Sequence, residues 1–218
     1  MNSLRIGLTQ RVEVVESYAE HRDCLDQAWA RLLCDLGFTP VPLSNCVADV
    51  GQYVTSLGLH GVILTGGNDL ECTAGGIQVA PERDRFEHSL IEFSVAEDLP
   101  LFGVCRGMQM LVVHHGGSLS RVEGHVARPH TILAIEESVP EYFCDIQRTE
   151  VNSYHGYGVT ADGLGKDIRG IAVASDGTIE AVSHRTLCQS AVMWHPERAP
   201  HDARDANMIR HFFQETQL

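Results

Sequence analysis

Three residues whose side chains could together carry out nucleophilic catalysis stand at or just after the ends of predicted strands: Cys105, His195 and Glu197. Cys105 lies between two apolar-rich runs, residues 101–104 and 108–113, which predict a strand before it and a helix after it. A side chain at such a strand-to-helix junction projects into the crevice at the carboxyl edge of a parallel sheet. The helix N-terminus there favours the thiolate, which is the nucleophilic form of cysteine.

Glycines frame this cysteine in the sequence GVCRG, residues 103–107. The spacing is that of the G-x-S-x-G nucleophile elbow, with cysteine in the place of serine. Glycine suits both ends because Cβ atoms would crowd a tight turn next to the nucleophile. A buried structural cysteine at the end of a strand is the alternative, and the local pattern alone does not decide between them.

A base and an orienting carboxylate are available in the segment AVMWHPE, residues 191–197. A predicted strand ends at His195, and Glu197 follows two residues later with Pro196 fixing the turn between them. This spacing lets a carboxylate reach one imidazole nitrogen while the other nitrogen faces a nucleophile. His195 alone would be interpreted as a surface residue, but its combination with the cysteine elbow favours catalysis.

A glycine pair follows a third predicted strand, in the sequence LTGGND of residues 64–69. A backbone N–H of such a turn, at Gly67, can stabilise an oxyanion, and a second N–H would come from Arg106 after the cysteine. Many strand-to-helix turns contain two glycines, so this signal is weak when it stands alone.

Apolar periodicity predicts that strands and helices alternate in the first half of the chain. Predicted strands cover residues 4–9, 38–43, 60–67 and 100–104, and predicted helices cover residues 21–36, 47–57, 83–96 and 108–113. Short β-like runs follow Gly117 and predict strands that extend or flank the main sheet, before a closing helix at 201–216. We therefore predict one α/β domain over residues 1–218. It has a mostly parallel central sheet with helices on both faces, plus additional short strands in the C-terminal half.

The composition argues against several classes of partner. The net charge is −13, from 16 basic and 29 acidic residues, which disfavours nucleic-acid binding because phosphates require a cationic surface. Apolar stretches end well before about 18 residues, so no membrane partner is expected. The N-terminal sequence lacks the pattern of a signal peptide, and a cytoplasmic location is expected.

Cysteine and histidine spacing predicts neither disulfides nor metal. The seven cysteines include no C-x-x-C pair, and we expect most of them to be small core residues. The twelve histidines form neither H-E-x-x-H nor H-x-H patterns. No metal site and no cofactor is therefore predicted.

Four segments in this order resemble the class I glutamine amidotransferase superfamily: ILTGGND, PLFGVCRGMQMLVVHHGGSL, VNSYHGYGV and AVMWHPE. The resemblance is strongest over residues 60–197 and is closest to the γ-glutamyl hydrolase, or peptidase C26-like, branch. That branch carries a GG-x-D turn, an RD-x-x-E helix and a C-R-G-x-Q elbow, which match residues 66–69, 83–87 and 105–109. The resemblance implies a flavodoxin-like fold and a Cys105-His195-Glu197 triad.

The resemblance also implies a pocket for the glutamyl group. Its residues would be Gly66, Asn68, Gln109, Asn152, Ser153, Tyr154 and His155. Without the resemblance, Gln109 would be a solvent-exposed helix residue and Asn152 a turn residue. Two features depart from the branch: the loop of residues 70–82 is short, and Tyr154-His155 replaces paired histidines. Because these loops rim the pocket, the amine attached to the glutamyl group is left open.

The implied function is a hydrolase that cleaves the γ-glutamyl amide bond of a small-molecule conjugate through a thioester and releases glutamate. γ-Glutamyl-γ-aminobutyrate and a nucleotide amidate such as γ-glutamyl-CDP-amidate are substrates of the implied kind. Arginines 11, 83, 85, 106, 121 and 128 are available for phosphate. The alternatives are a glutaminase subunit that passes ammonia to a separate synthase, and a non-catalytic ligand-binding or redox-sensing module. A homodimer is compatible with each of them.

Overall fold

One large sheet lies between two layers of helices. The computed structural model describes residues 3–73, 75–76, 78–135, 139–143, 146–198 and 202–215. The strands in chain order are β1 (Arg5–Leu8), β2 (Arg11–Val15), β3 (Glu20–Cys24), β4 (Thr39–Pro42), β5 (Gly61–Leu64), β6 (Leu101–Val104), β7 (Ser120–Arg121), β8 (His130–Ala134), β9 (Arg148–Val151), β10 (Tyr157–Gly158), β11 (Ile168–Ala174), β12 (Ile179–His184) and β13 (Gln189–Val192).

The helices are α1 (Gln27–Asp35), α2 (Val50–Leu57), α3 (Pro81–Ala96), α4 (Arg106–His114) and α5 (Ala203–Glu215). Two short 3-10 turns cover Glu141–Phe143 and Ala161–Gly163. Within the described residues, each helix is too short or too polar to cross a membrane.

Across the described residues the main sheet has nine strands in the order β4-β1-β5-β6-β13-β12-β11-β8-β9. The first five strands in this order, β4, β1, β5, β6 and β13, pair in parallel. The remaining four, β12, β11, β8 and β9, continue the sheet with antiparallel pairing. The predicted α/β class, with a mostly parallel centre and extra strands from the C-terminal half, is confirmed. Two small strand pairs, β2–β3 and β7–β10, lie outside the main sheet.

Each face of the sheet carries its own hydrophobic core. Ile63 of β5 packs with Trp29 of α1 and Phe212 of α5, whereas Val62 and Leu64 pack with the cluster that includes α2, α3 and α4. This division follows from the alternation of side chains along a strand. Fully burying one side chain of this size contributes about 1.5–3 kcal/mol, so both helix layers are held by the central strands.

The predicted helix at residues 21–36 is wrong in its first part. Glu20–Cys24 is strand β3, which pairs antiparallel with β2 along its whole length. Helix α1 begins only at Gln27, where the Asp26 side chain caps it by accepting a hydrogen bond from the Ala28 N–H (2.9 Å). Pairing with β2 supplies the backbone of residues 20–24 with the hydrogen bonds that a helix would otherwise have supplied. Tertiary pairing therefore overrides the local pattern.

The expectation that most cysteines lie in the core is also wrong. Among the described residues Cys105 is the buried one, while Cys34, Cys46 and Cys72 are exposed and two others are half-buried. Cys34 faces solvent from α1, and Cys46 and Cys72 lie in loops. No disulfide joins the six described cysteines to one another, and Cys144 lies outside the described residues.

Gly107 is the elbow position with the least room for a side chain. A Cβ atom on Gly107 would lie 2.1 Å from the Leu64 carbonyl oxygen. Gly107→Ala should lower the free energy of unfolding by about 3 kcal/mol, because α4 would have to move away from β5. Urea unfolding followed by circular dichroism measures this change.

Gly156→Ala is the matched control, since a Cβ atom there meets no atom within 4 Å. Its free energy of unfolding should change by less than about 0.5 kcal/mol. Equal unfolding midpoints for the two variants would contradict the close approach at the elbow.

Candidate active site

The parallel register of three neighbouring strands brings the predicted site residues together. Strand β6 lies between β5 and β13, with Gly103 opposite Leu64 and Val104 opposite Val192. Cys105 therefore emerges between the glycine turn that follows β5 and the segment that follows β13. Its N–H donates to the Val192 carbonyl at 2.8 Å, which extends the pairing by one residue into the elbow.

Cys105 has a backbone conformation that non-glycine residues rarely adopt, with φ 53° and ψ −105°. Such a conformation costs about 1–3 kcal/mol and persists only where the surroundings enforce it. The side chain is 7% exposed and lines a cavity of about 250 Å³ together with His195. The strained turn thus delivers the sulfur to the cavity while the chain continues into α4.

His195 and Glu197 form a buried pair next to the sulfur. Their Nδ1 and Oε1 atoms are 2.7 Å apart, and this leaves Nε2 for the Cys105 thiol. Burial lowers the pKa of His195, but hydrogen bonds to Cys105 and Glu197, with the negative charge on both groups, raise it from 6.5 to about 9. The imidazole is therefore poised to hold a proton between a sulfur and a carboxylate.

Asn152 and Tyr154 set the position of that imidazole. The Asn152 amide donates to the His195 carbonyl and accepts from the His195 N–H, both at 2.9 Å. The Tyr154 ring packs edge-to-face on the imidazole, with centroids 5.7 Å apart, and Tyr154 lines the cavity. Asn152, which the sequence assigns to substrate, lies outside the cavity lining and has its amide engaged by backbone.

Arg83 holds the turn after β5 through hydrogen bonds to its backbone carbonyls. Its guanidinium is 0% exposed and donates to the carbonyls of Thr65 (2.6 Å), Gly66 (3.2 Å) and Gly67 (2.6 Å). In a trans peptide the carbonyl and the next N–H point in opposite directions. The N–H groups of Gly67 and Asn68 therefore point away from Arg83, and both residues line the cavity.

The same arginine belongs to a buried ion-pair network of two cations and two anions. Glu87 accepts from Arg83 at 2.9 Å and also from Arg106, which in turn donates to Asp84. Burial lowers the pKa of Arg83 to about 10, so it stays charged at neutral pH. The network joins α3 to the start of α4. It corrects the expectation that Arg83 and Arg106 are available for phosphate.

Gly66 and Asn68 have contacts that limit direct binding of a substrate. A Cβ atom on Gly66 would lie 2.7 Å from Cε1 of His195, so this glycine makes room for the imidazole. The Asn68 side chain bridges to the backbone of Val12 through two hydrogen bonds, at 2.8 and 3.0 Å. Asn68 lines the cavity, but its side-chain amide is engaged in hydrogen bonds that connect the glycine turn to β2.

The other predicted pocket residues divide between the cavity and the interior. Gln109 lines the cavity and donates to the Tyr157 carbonyl at 2.9 Å. His155 also lines the cavity, although its ring is almost fully buried. Ser153 is buried and donates to the His125 carbonyl, away from the cavity lining.

Five residues of the cavity wall are absent from the predicted site residues: Asp69, Gln78, Gly156, Tyr157 and Arg198. The Arg198 guanidinium lies 4.4 Å from the centroid of the Tyr154 ring, and the side chain is 36% exposed. Its position directly after the His-Pro-Glu segment is a signal that could have indicated it. Gln78 reaches the wall because the short loop folds back, with its carbonyl accepting from the Asp69 N–H at 3.2 Å.

The raised pKa of His195 has a testable origin. In Cys105→Ala and in Glu197→Gln the pKa should fall from about 9, because each change removes one partner of the protonated ring while burial remains. Nitrogen NMR of the imidazole as a function of pH measures this pKa.

The direction of the His195 pKa shift can also be checked through the pH dependence of stability. A pKa raised in the folded state stabilises it fully below about pH 6.5, and this contribution is lost as the pH rises towards 9. Glu197→Gln should flatten that part of the stability profile. An imidazole pKa that stays near 9 in both variants would contradict the assignment.

The chain is similar to known proteins over most of its length. A family model for peptidase C26 matches residues 6–197. The chain is 34% identical over 196 residues to the γ-glutamyl-CDP-amidate hydrolase of Campylobacter jejuni, covering 88% of this chain and 90% of that protein.

Two solved structures are similar in fold. A protein from Thermoplasma acidophilum, provisionally named as part of a GMP synthase, has a TM-score of 0.74 at 18% identity, covering 100% of this chain and 96% of the other. A glutamine amidotransferase from Thermotoga maritima has a TM-score of 0.67 at 16% identity, covering 100% and 85%. The chain belongs to the peptidase C26 family, and it is a hydrolase of the glutamine amidotransferase type.

Proposed function

We propose that the protein hydrolyses the γ-glutamyl amide bond of a small conjugate, with Cys105 as nucleophile, His195 as base and Glu197 as its orienting carboxylate. One observation carries this proposal: a cysteine held at a strained elbow faces an imidazole whose far nitrogen lies 2.7 Å from a buried carboxylate. A nucleophile, a base and an orienting group in this relation are the parts that acyl transfer requires.

The reaction would proceed in two steps. The Cys105 sulfur attacks the γ-carbonyl carbon, a C–S bond forms, and the C–N bond breaks as protonated His195 gives its proton to the leaving nitrogen. Water then loses a proton to His195 and attacks the thioester, and the C–S bond breaks. Glutamate leaves, and the sulfur and imidazole regain their starting states. The raised pKa of His195 keeps the imidazole protonated at neutral pH, so that it can give this proton to the leaving nitrogen in the first step.

Two backbone N–H groups would stabilise the oxyanion in both steps. Arg106 is the first residue of α4, so its N–H has no partner within the helix. The Gly67 N–H is turned away from Arg83 because the preceding carbonyl is bound to that guanidinium. Removing one donor of an oxyanion hole costs about 10²–10³ in kcat, which indicates the size of the contribution.

The relative from Campylobacter jejuni suggests a nucleotide amidate as the conjugate. The cavity of about 250 Å³ is smaller than most pockets for whole drug-sized ligands, so it suits a glutamyl group with the remainder outside. Tyr154, 46% exposed, and Arg198 lie at the rim. A guanidinium suits a diphosphate and an aromatic face suits a base, which together favour a nucleotide at this rim.

A substrate comparison tests the proposal. γ-Glutamyl-CDP-amidate, γ-glutamyl-γ-aminobutyrate and glutamine would each be incubated with the protein, and released glutamate measured. Cys105→Ala should lose activity by a factor of about 10⁴ or more, since the covalent route is closed. Cys34→Ala, an exposed cysteine on α1, should keep wild-type activity. Intact-protein mass spectrometry should detect a glutamyl adduct in the wild type after rapid quenching.

The outcomes separate the alternatives. Equal activity in Cys105→Ala would end the case for this nucleophile. Glutamine hydrolysis that appears only with an added synthase would identify a glutaminase subunit. Binding of γ-glutamyl compounds without any glutamate release would identify a non-catalytic module.

Arg198→Ala tests the position of the nucleotide. The preference, as a ratio of kcat/KM, for γ-glutamyl-CDP-amidate over γ-glutamyl-p-nitroanilide should fall about tenfold, the cost of one charge-assisted hydrogen bond. Arg210→Ala on α5, whose guanidinium bonds Asn207, should leave that ratio unchanged. An unaltered ratio in Arg198→Ala would place the diphosphate elsewhere.

A further inference from the structure

Three imidazoles surround one buried carboxylate behind the wall of the cavity. The Glu180 Oε1 atom lies 3.4 Å from both His125 Nδ1 and His155 Nε2, and Oε2 lies 3.5 Å from His130 Nε2. Glu180 is 0% exposed, and the His125 and His155 rings are nearly as buried. The ligand atoms of His125, His155 and Glu180 all lie within 4.8 Å of one another.

These separations are long for hydrogen bonds and suit metal ligands. Hydrogen bonds of this kind measure about 2.7–3.2 Å. Ligand atoms placed about 2.05 Å from a tetrahedral zinc ion are about 3.3–3.4 Å from one another. The two distances that end on Glu180 Oε1 therefore match edges of a tetrahedron around an ion, and His130 Nε2 faces the other carboxylate oxygen at a similar distance.

The same atoms are left without hydrogen bonds among the described residues. They are both Glu180 oxygens, His125 Nδ1, His155 Nε2 and His130 Nε2. Buried polar atoms that make no hydrogen bond of ordinary length are rare, and a cluster of such atoms facing one point is rarer still. A cation at that point would satisfy all of them at once.

The outer edges of two rings are already held by acceptors. His125 Nε2 lies 2.8 Å from an Asp176 carboxylate oxygen, and His155 Nδ1 lies 3.0 Å from the Tyr157 carbonyl. These contacts place a proton on the outer nitrogen and a lone pair on the inner one. Carboxylates and carbonyls support metal-bound histidines in this manner.

We propose that His125, His155 and Glu180 bind a zinc ion, with His130 as the fourth ligand. Three neutral imidazoles and one carboxylate leave a charge of +1 on the zinc centre, and the Asp176 carboxylate balances it. Imidazole and carboxylate ligands of this number fit zinc, and four protein ligands close its coordination sphere. The site is therefore structural and is separate from the proposed sulfur chemistry.

The ion would cross-link segments of the chain that lie next to the cavity. His125 and His130 lie on the connection from β7 to β8 and at its end, Glu180 lies on β12, and His155 follows β9. The segment of residues 152–157 also supplies Asn152, which holds the His195 backbone. Zinc would thus fix a loop that has little regular structure of its own.

Metal analysis tests the proposal independently of any hydrolase activity. The protein should contain about one zinc per chain by plasma mass spectrometry, after purification or after incubation with zinc chloride. Co²⁺ loaded in its place should show the intense visible absorption of a four-coordinate ion. Glu180→Gln and His125→Gln should bind zinc at least about 100-fold more weakly.

Two further variants keep the test decisive if a ligand variant fails to fold. Asp176→Asn leaves every ligand in place and should weaken zinc binding about 10–100-fold, because the His125 ring loses its outer support. His114→Gln removes the contact with His88 (3.0 Å), an exposed pair that could hold adventitious metal, and should leave zinc content unchanged. Amide exchange in residues 124–130 and 152–157 should rise when zinc is removed.

Three results would overturn the proposal. The first is less than about 0.1 zinc per chain even after incubation with the metal. The second is full zinc content and unchanged affinity in Glu180→Gln, His125→Gln or Asp176→Asn. The third is a loss of zinc in His114→Gln as large as in the ligand variants.

Discussion

The candidate site is built around the buried guanidinium of Arg83. It binds three consecutive carbonyls of the turn after β5, and its charge is balanced by Glu87, which also holds Arg106. The turn and the start of α4 are therefore fixed to the same helix, α3. Because these contacts are buried, each lost partner would leave a charge in the interior, and such losses cost about 3–5 kcal/mol. The two backbone N–H groups proposed for the oxyanion lie on the two elements that this network joins.

Parallel pairing explains why residues distant in sequence meet at one edge of the sheet. The carboxyl ends of β5, β6 and β13 are adjacent, so the glycine turn, the sulfur of Cys105 and the imidazole of His195 lie side by side. The antiparallel half of the sheet has a different role. It supports the loop after β9, from which Asn152 clamps the His195 backbone and Tyr154 packs on its ring. We thus propose that the parallel half of the sheet carries the catalytic residues, and that the antiparallel half supports the loop that positions the base, His195.

The floor and the rim of the cavity differ in burial and in chemistry. The floor consists of buried groups whose contacts are made by backbone or by paired charges, which suits the glutamyl group that the proposed substrates have in common. The rim carries the exposed Tyr154 ring with Arg198 stacked on it, in a protein whose net charge is −13. A local cation is needed there if the leaving group bears phosphate, because the overall field repels it. The zinc site proposed behind the cavity wall would fix the loop of residues 152–157, which contributes Tyr154 to the rim.

Local sequence was sufficient to predict the α/β class, most of the strands and helices, and the candidate triad, because these depend on apolar periodicity and on short motifs of neighbouring residues. Local sequence did not predict the features that depend on contacts between residues far apart in the chain. Strand β3 needs its partner β2 to exist, and the amides of Asn68 and Asn152 bond to backbone brought from elsewhere in the chain. The histidines around Glu180 lie 25 to 55 positions from it and match no local spacing. Such groups meet only in the folded chain, since the ligands of a buried site are chosen by the packing of strands and loops rather than by distance along the sequence.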